Sequence, residues 1–313
     1  MLGYALRRIL ASIPVLFGVS VLVFSIVHLI PGDPALILGG MDATEEQAAE
    51  IRERLGLDRP LYLQYYSYIT HALQGDMGRS IHSRVPVWHL IKDHFPATLE
   101  LTTASLILAG VLGIAIGIIS AVKQYSLFDH LTMMGALAGI SMPIFWIGIL
   151  LMYVFSLQLE WLPTGGRALE IFSWNELKHL TLPALTLSGI SIAMIARLTR
   201  STMLEVLRQD FVVTARSKGL PEIMVIVRHA LGNALIPVVT YMGLQYGILL
   251  GGAVVTEQIF SWPGMGRLIV EAISDRDYPV IQGCILFISA LFVAINLTVD
   301  LLYGVLDPRI RYD

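Results

Sequence analysis

The chain has 313 residues, of which 55% are hydrophobic and 14% charged, and its formal net charge is −3. Soluble domains carry about 25% charged residues, so the composition excludes an ordinary water-soluble globule, and the near-balanced charge offers no footing for nucleic acid. The single cysteine, Cys284, lies in an apolar run. That excludes a disulfide framework or thiolate metal cluster and leaves a small buried hydrophobe.

The opening, "MLGYALRRILASIPVLFGVSVLVFSIVHLI", places Arg7 and Arg8 before an apolar run, as a secretory signal would. Its apolar stretch from Ile9 to Ile30 is longer than the 7–15 residues of a signal core, and no small-x-small cleavage site follows. It reads as a retained first membrane helix. A span needs about 20 mostly apolar residues, and five more candidates follow: Leu99–Val122, Leu131–Leu157, Leu182–Ala196, Ala234–Val255 and Val280–Gly304. The fourth is short, with Arg197 and Arg200 placed to snorkel from its end. Pro183 and Pro279 suit the first turns of the fourth and sixth, where a missing N–H costs little, and Pro237 bends the start of the fifth.

Basic residues orient the spans. With both termini inside, the inner segments hold Arg7, Arg8, Lys123, Arg197, Arg200, Arg208, Arg216, Lys218, Arg228, Arg309 and Arg311. The outer segments, leaving aside the long one at 31–98, hold only Arg167, Lys178, Arg267 and Arg276. Excess Lys and Arg mark the cytoplasmic side. The expected fold is an all-α polytopic membrane protein with six transmembrane helices, both termini cytoplasmic and a small extracytoplasmic insertion after the first helix. In domain terms, 1–30 is the tail and first helix, 31–98 the extracytoplasmic segment, and 99–313 a five-helix transmembrane domain with a cytoplasmic loop at about 205–233.

Within 31–98, Thr44 and Gln47 form a possible capping box before "EEQAAEIRERL", closed by Gly56. Pro60 then starts a tyrosine-rich helix, "PLYLQYYSYITHAL", ending near Gly75. This segment is long enough for a small folded cap, and its tyrosines fit interfacial anchoring and local packing better than a binding role. Gly113 with Gly117, and Gly243, Gly247 and Gly251, are small-xxx-small rows that let helices approach closely in lipid.

Reactive chemistry is sparse. No Gly-Lys dipeptide occurs, so the phosphate-binding loop G-x-x-x-x-G-K-[ST] is absent, and there is no G-x-S-x-G elbow. His28, His71, His82, His89 and His94 fall in or beside the outer segment, but His89 and His94 are five apart, off the i, i+4 spacing of a helical metal pair. They read as surface histidines. Asp300 is taken as the one acidic residue within a span, near its inner end, where pairing with Arg309 or Arg311 is favoured over a transport role. A proton-coupled transporter would want a carboxylate near the midplane.

The stretch "TARSKGLPEIMVIVRHALGNALIP" (214–237) stands apart from the apolar runs around it. "MLEVLRQDFVVTARSK" continues the fourth span as a helix, Gly219 supplies the left-handed residue that ends it, and Pro221 opens the next. A helix lying on a membrane has no need of a tight break in mid-segment. A projecting helix–turn–helix offering Arg216 and Lys218 suits docking into a cleft of a partner.

The fuller stretch "DFVVTARSKGLPEIMVIVRHALGNALIPV" strongly resembles the EAA-type cytoplasmic loop of ABC importer permeases, and more narrowly the dipeptide/oligopeptide/nickel (and glutathione) permease group. The resemblance continues through "LIPGDPA" (29–35), "LGLDRPLYLQY" (55–65), "GDMGRSI" (75–81), "PATLELT" (96–102), "SMPIFWIGILLMYVFS" (141–156), "WLPTGG" (161–166), "EQIFSWPGMGRL" (257–268), "RDYPVIQG" (276–283) and "LDPRIRYD" (306–313). It covers essentially the whole chain. Thr214-Ala215-Arg216 stands where Ala-Ala is more typical of other importer groups, while Gly219 is retained.

The resemblance implies a transport subunit without an ATPase site and with no cofactor of its own, ATP and Mg being bound by two separate ABC ATPase subunits. It also implies a second homologous permease subunit, an extracytoplasmic substrate-binding protein, a lipid environment and a bacterial inner-membrane location. Thr214, Ala215, Arg216, Lys218 and Gly219 would couple to the ATPase, with Arg228 and Asn233 supporting. Trp262, Pro263 and Gly264 of "FSWPGMGRL" would form an outer gate or docking loop, or else an interfacial tryptophan with a tight turn. The implied cargo is di- or oligopeptide or glutathione. The alternatives are nickel or a nickel chelate within the same family, and an ion-coupled secondary transporter outside it.

Overall fold

The structure, a computed structural model, describes residues 2–29, 44–46, 49, 52–53, 58–168 and 173–306. The Thr44–Gln47 capping box, the motifs at 29–35 and 306–313, and the Arg309 and Arg311 partners expected for Asp300 lie wholly or partly outside the described residues. Among the described residues the ordered elements are helical. They are α1 Leu2–Leu29, α2 Leu61–Leu73, α3 Val87–Val122, α4 Leu127–Ser141, α5 Ile144–Met152 with a π-helical turn Tyr153–Gln158, and α6 Trp174–Val206. After them come α7 Asp210–Ser217, α8 Glu222–Gly252 with a π-helical turn at Val225–Ala230, α9 Val254–Ile259, α10 Met265–Ser274 and α11 Tyr278–Leu306.

Five of these are long and apolar enough to cross a membrane by themselves: α1, α3, α6, α8 and α11. The third expected span is not one straight helix. It breaks into α4 and the α5 limb, 107° apart. Met142 is extended (φ −89°, ψ 135°), as a residue before proline is driven to be, and Pro143 caps α5. Each limb has 15 residues, about 22 Å and short of a ~30 Å hydrocarbon core, so only the bent pair together supplies a sixth crossing.

The fourth span corrects the sequence expectation at both ends. α6 starts at Trp174, where Ser173 Oγ accepts from the Glu176 N–H, so Pro183 is an interior residue and not a first-turn one. At its far end α6 stops at Val206, and α7 is a separate helix: the Arg208 and Gln209 amides turn back onto Glu205 and Val206. Pro279 does sit in the first turn of α11, and Pro237 lies inside α8.

The chain forms two compact units, one of residues 1–95 and 268–293, the other of 96–267 and 294–313. In the first, α2 packs on α1, and the 75–86 turn is tied down by the buried Asp277, which accepts from the Ser80 hydroxyl and the Ile81 amide. His71, His82 and His94 each bond a different backbone carbonyl, those of Ser67, Asp275 and Leu90. In the second unit the close approach of α3 and α6 depends on the expected glycine pair. A Cβ on Gly113 would meet Ile195 at 2.7 Å, and one on Gly117 would meet Thr199 at 2.5 Å and the Ala196 carbonyl at 2.6 Å. Gly117→Ala should therefore cost about 1–3 kcal/mol by overpacking, while Gly18→Ala, with open space around it, should not. Thermal unfolding of the two variants in detergent checks this.

The second glycine row is only partly used inside the chain. Gly243 packs on Val299 and Gly247 is buried, but Gly251 meets nothing within 4 Å. Polar groups add cross-ties in the same unit: Thr103 bonds Tyr246 at 2.9 Å, and Gln245 donates to Ser191 at 3.1 Å. Such hydrogen bonds between helices replace the hydrophobic drive that lipid removes.

Candidate coupling site

α7, the Gly219 turn and the start of α8 form one helical corner. Gly219 has φ +75°, a conformation only glycine adopts without strain. The Lys218 and Gly219 amides close the end of α7 onto Thr214 and Arg216. Pro221 then caps α8. The sequence expectation of a break and restart at these residues holds.

The corner is firmly seated. Val212, Ala215, Val225, Ala230 and Ala234 pack with Met203 and Val206 of α6 and Ala121 of α3 in one buried cluster. Val212 and Ala215, three apart on α7, thus turn inward, and Ala215 is an internal seat, not a contact surface. Arg216 is exposed but engaged, its guanidinium making a two-pronged pair with Glu222 at 2.7 and 3.2 Å. That pair bridges the Gly219 turn and holds its two arms together. The Asn233 amide donates to the His229 carbonyl, and Thr214 to that of Asp210. Thr214, Lys218, Arg228 and Asn233 are exposed.

The corner exposes apolar side chains beside basic ones. Ile223 is 74% exposed, Val227 58% and Phe211 40%, beside Lys218 and Arg228. Exposed apolar patches rimmed by polar residues mark sites of protein or membrane interaction. The apolar residues were legible in the sequence only as helix periodicity. Ile223 points out while Val225 points in because residues two apart on a helix lie about 200° apart around its axis.

Beneath the corner lies a charged pair that spacing did not reveal. Arg200 of α6 grips Asp129 of α4 with two bonds, 2.6 and 2.7 Å. Asp129 also accepts from Ser120 at 2.7 Å and the Tyr125 amide at 3.0 Å, and it is 3% exposed. Arg200 is therefore committed inward and does not snorkel, whereas Arg197 stays exposed. A signal was present: Ser126-x-x-Asp129 is a capping box, and the Ser126 hydroxyl does accept from the Asp129 amide. Nor is Asp300 the one acidic residue on a span. Glu100 of α3 pairs with Arg167 at 2.6 Å, and Glu176 of α6 is 6% exposed.

The "FSWPGMGRL" turn is a packed corner. Trp262 is wholly buried, and its indole N–H donates to the Ala97 carbonyl at 2.8 Å, so it is not an interfacial tryptophan. Glu257, also fully buried, accepts from the Thr98 hydroxyl at 2.6 Å and the Arg267 amide at 3.1 Å. Thr98 in turn accepts from the Met265 amide. Gly264 backs directly onto the Glu257 carboxylate, and a Cβ there would overlap it. Pro263 is half-buried, and Ser261 is the exposed tip.

Long apolar helices, one bent pair and a seated corner carrying an apolar-basic patch define a polytopic membrane protein of the transporter type. Residues 113–312 match the family described as Binding-protein-dependent transport system inner membrane component, and residues 1–102 match Binding-prot-dependent transport system membrane comp, N-term. The chain belongs to this family: it is a multi-pass inner-membrane permease component of an ABC importer, and ATP hydrolysis resides in separate subunits. Over its full length it is 48% identical to the dipeptide transport system permease protein DppB of Alkalihalophilus pseudofirmus, also over the whole of that protein. It is 50% identical to the glutathione transport system permease protein GsiC of Salmonella typhimurium, again with complete coverage of both chains. Its fold is similar to a chain of the inward-facing MetNI methionine ABC transporter, with TM-score 0.53 and 14% identity over 70% of this chain and 96% of that one.

Proposed function

We propose that this permease carries short peptides or glutathione inward, driven by ATPase subunits that dock on the corner formed by α7 and the start of α8. The observation that carries the docking reading is the exposed Phe211–Ile223–Val227 surface flanked by Lys218 and Arg228, mounted on a buried seat of Val212 and Ala215. A rigid knob of this kind transmits displacement, because its seat is the packed end of α3 and α6. Thr214, Arg216, Lys218 and Gly219 form its turn, with Arg228 and Asn233 on the following arm. The distribution of Lys and Arg supports a cytoplasmic place for this corner and for both termini. It also supports reading α4 and α5 together as a sixth crossing.

The cargo reading is supported by full-length identity of 47–50% to peptide and glutathione permeases alike. Gly251, open on α8 in the single chain, fits a second permease subunit packed against that helix. An extracytoplasmic binding protein would deliver substrate to the opposite face, where the exposed Ser261 tip and Pro263 are the parts of the 260–264 turn free to act as gate or dock.

Uptake of labelled dipeptide, labelled glutathione and radioactive nickel, compared in cells lacking this gene and in complemented cells, tests the cargo. Loss of peptide or glutathione uptake is the expected result, and loss of nickel uptake alone would overturn the reading. Docking has its own test. Gly219→Trp strains a left-handed position but meets no neighbouring atom, so the complex should still assemble while ATP-driven uptake falls at least tenfold. Undiminished uptake by an assembled Gly219→Trp complex would exclude the docking role.

A further inference from the structure

We infer that α2 lies within the bilayer interface, its face away from α1 covered by lipid, rather than standing in water as part of a folded cap. The first observation is depth. α2 packs on residues of α1 that belong to its membrane-crossing stretch, Leu6–Ser25. The Tyr65 ring sits edge-on between Phe17 and Phe24, with centroids 6.2 and 5.5 Å away, and its hydroxyl meets the Ser20 hydroxyl at 2.7 Å. Tyr68 lies against Phe24 at 6.0 Å. At 1.5 Å per residue, Phe17 is about 12 Å inside the Ser25 end of that stretch. A helix touching Phe17 and Ser20 reaches below the headgroups.

The second observation is composition. The 13 residues of α2, "LYLQYYSYITHAL", contain no Asp, Glu, Lys or Arg. Charge begins again at once on either side, with Asp58 and Arg59 before and Asp76 and Arg79 after. A cap helix in water has no reason to be bare of charge, because its outer face would be solvated best by ionic residues. The third observation is exposure. No residue of α2 is buried, and the face turned from α1 shows Tyr62 at 71%, Tyr66 at 67% and Leu73 at 82%. Tyr62, Tyr66 and Leu73 follow helical spacing and make one stripe. Tyrosine is the residue that tolerates acyl chains on its ring and headgroup water on its hydroxyl. The inference rests on α1 being a membrane span and is independent of the cargo.

The test places a nitroxide label at cysteines introduced at Tyr62, Tyr66 and Leu73, and at the exposed Asp58 as control, in a Cys284→Ala background. The assembled transporter is reconstituted in phosphatidylethanolamine–phosphatidylglycerol vesicles, and spin relaxation by oxygen is compared with that by a water-soluble nickel chelate. The expected result is a several-fold higher oxygen-to-nickel ratio at all three stripe positions than at Asp58. Equal nickel access at all four positions would overturn the inference in favour of a water-borne cap. So would nickel access that disappears only when purified binding protein is added, since the stripe would then be a protein dock.

Discussion

Replacing Asp129 with alanine should destabilise the assembled permease by about 3 kcal/mol, the lower part of the range for a buried ion pair cut in half. Arg200 would then point two donors at a site that offers no charge, and the Ser120 hydroxyl and Tyr125 amide would lose their acceptor. The lower part of the range applies because the pair sits at the helix ends and not in mid-bundle. Asp129→Asn, which keeps an oxygen for Ser120, should cost less. The informative variant is the double one. Asp129→Leu with Arg200→Met removes both charges together, and should unfold at a higher temperature than either single variant, because no buried charge is left alone. Thermal unfolding of the four purified proteins completes the cycle. Single variants within about 0.5 kcal/mol of the parent, the range of ordinary surface changes, would mean that the pair is solvated and holds nothing.

The second large effect is expected at the 257–267 corner. Gly264→Ala places a methyl group where the Glu257 carboxylate stands, and neither side can yield. Glu257 is held by Thr98 and the Arg267 amide, and Gly264 lies beside Trp262, which is anchored to Ala97. The expected outcome is loss of most folded protein from the membrane, measured by quantitative immunoblot against an unchanged transcript. Glu257→Ala attacks the same corner from the other side. It relieves the crowding but orphans a buried hydroxyl, at about 1–3 kcal/mol per unsatisfied group. Combining it with Gly264→Ala should therefore be less damaging than Gly264→Ala alone. If the double variant accumulates no better, the overlap is not the cause.

Most of what was legible along the chain was local. An apolar window of some 20 residues needs no partner to announce a membrane helix, because lipid is the partner. Five windows accordingly became single spans, and α11 begins within two residues of its expected start. The Gly219 turn was legible for the same reason: φ +75° is a backbone demand met by one residue type. Even the misplaced start of α6 had a local mark, Ser173 three residues before Glu176, which was passed over because the polar first turns lie outside the apolar window. The break of the third span was also written locally, in Pro143 and its effect on Met142. A hydropathy average simply runs through it.

The site was less legible, and the cause is distance along the chain. That Arg200 belongs to Asp129 joins residues 71 apart, and that Thr98 belongs to Glu257 joins residues 159 apart. A buried charge is stable only opposite its partner, so its role is undefined until both helices have packed. From its neighbours Trp262 reads equally as an outer gate or dock and as an interfacial tryptophan. Only the carbonyl of Ala97 presented by α3 decides that it is internal. Likewise Tyr65 and Tyr68 face α1 while Tyr62 and Tyr66 do not, a choice made by Phe17, Ser20 and Phe24 across 45 residues in the Ser20–Tyr65 case. Hydropathy and backbone conformation are carried by each residue and survive in a linear reading. Which polar group satisfies which, and which face of a helix is left for a partner, are properties of pairs, and pairs exist only once the chain has folded.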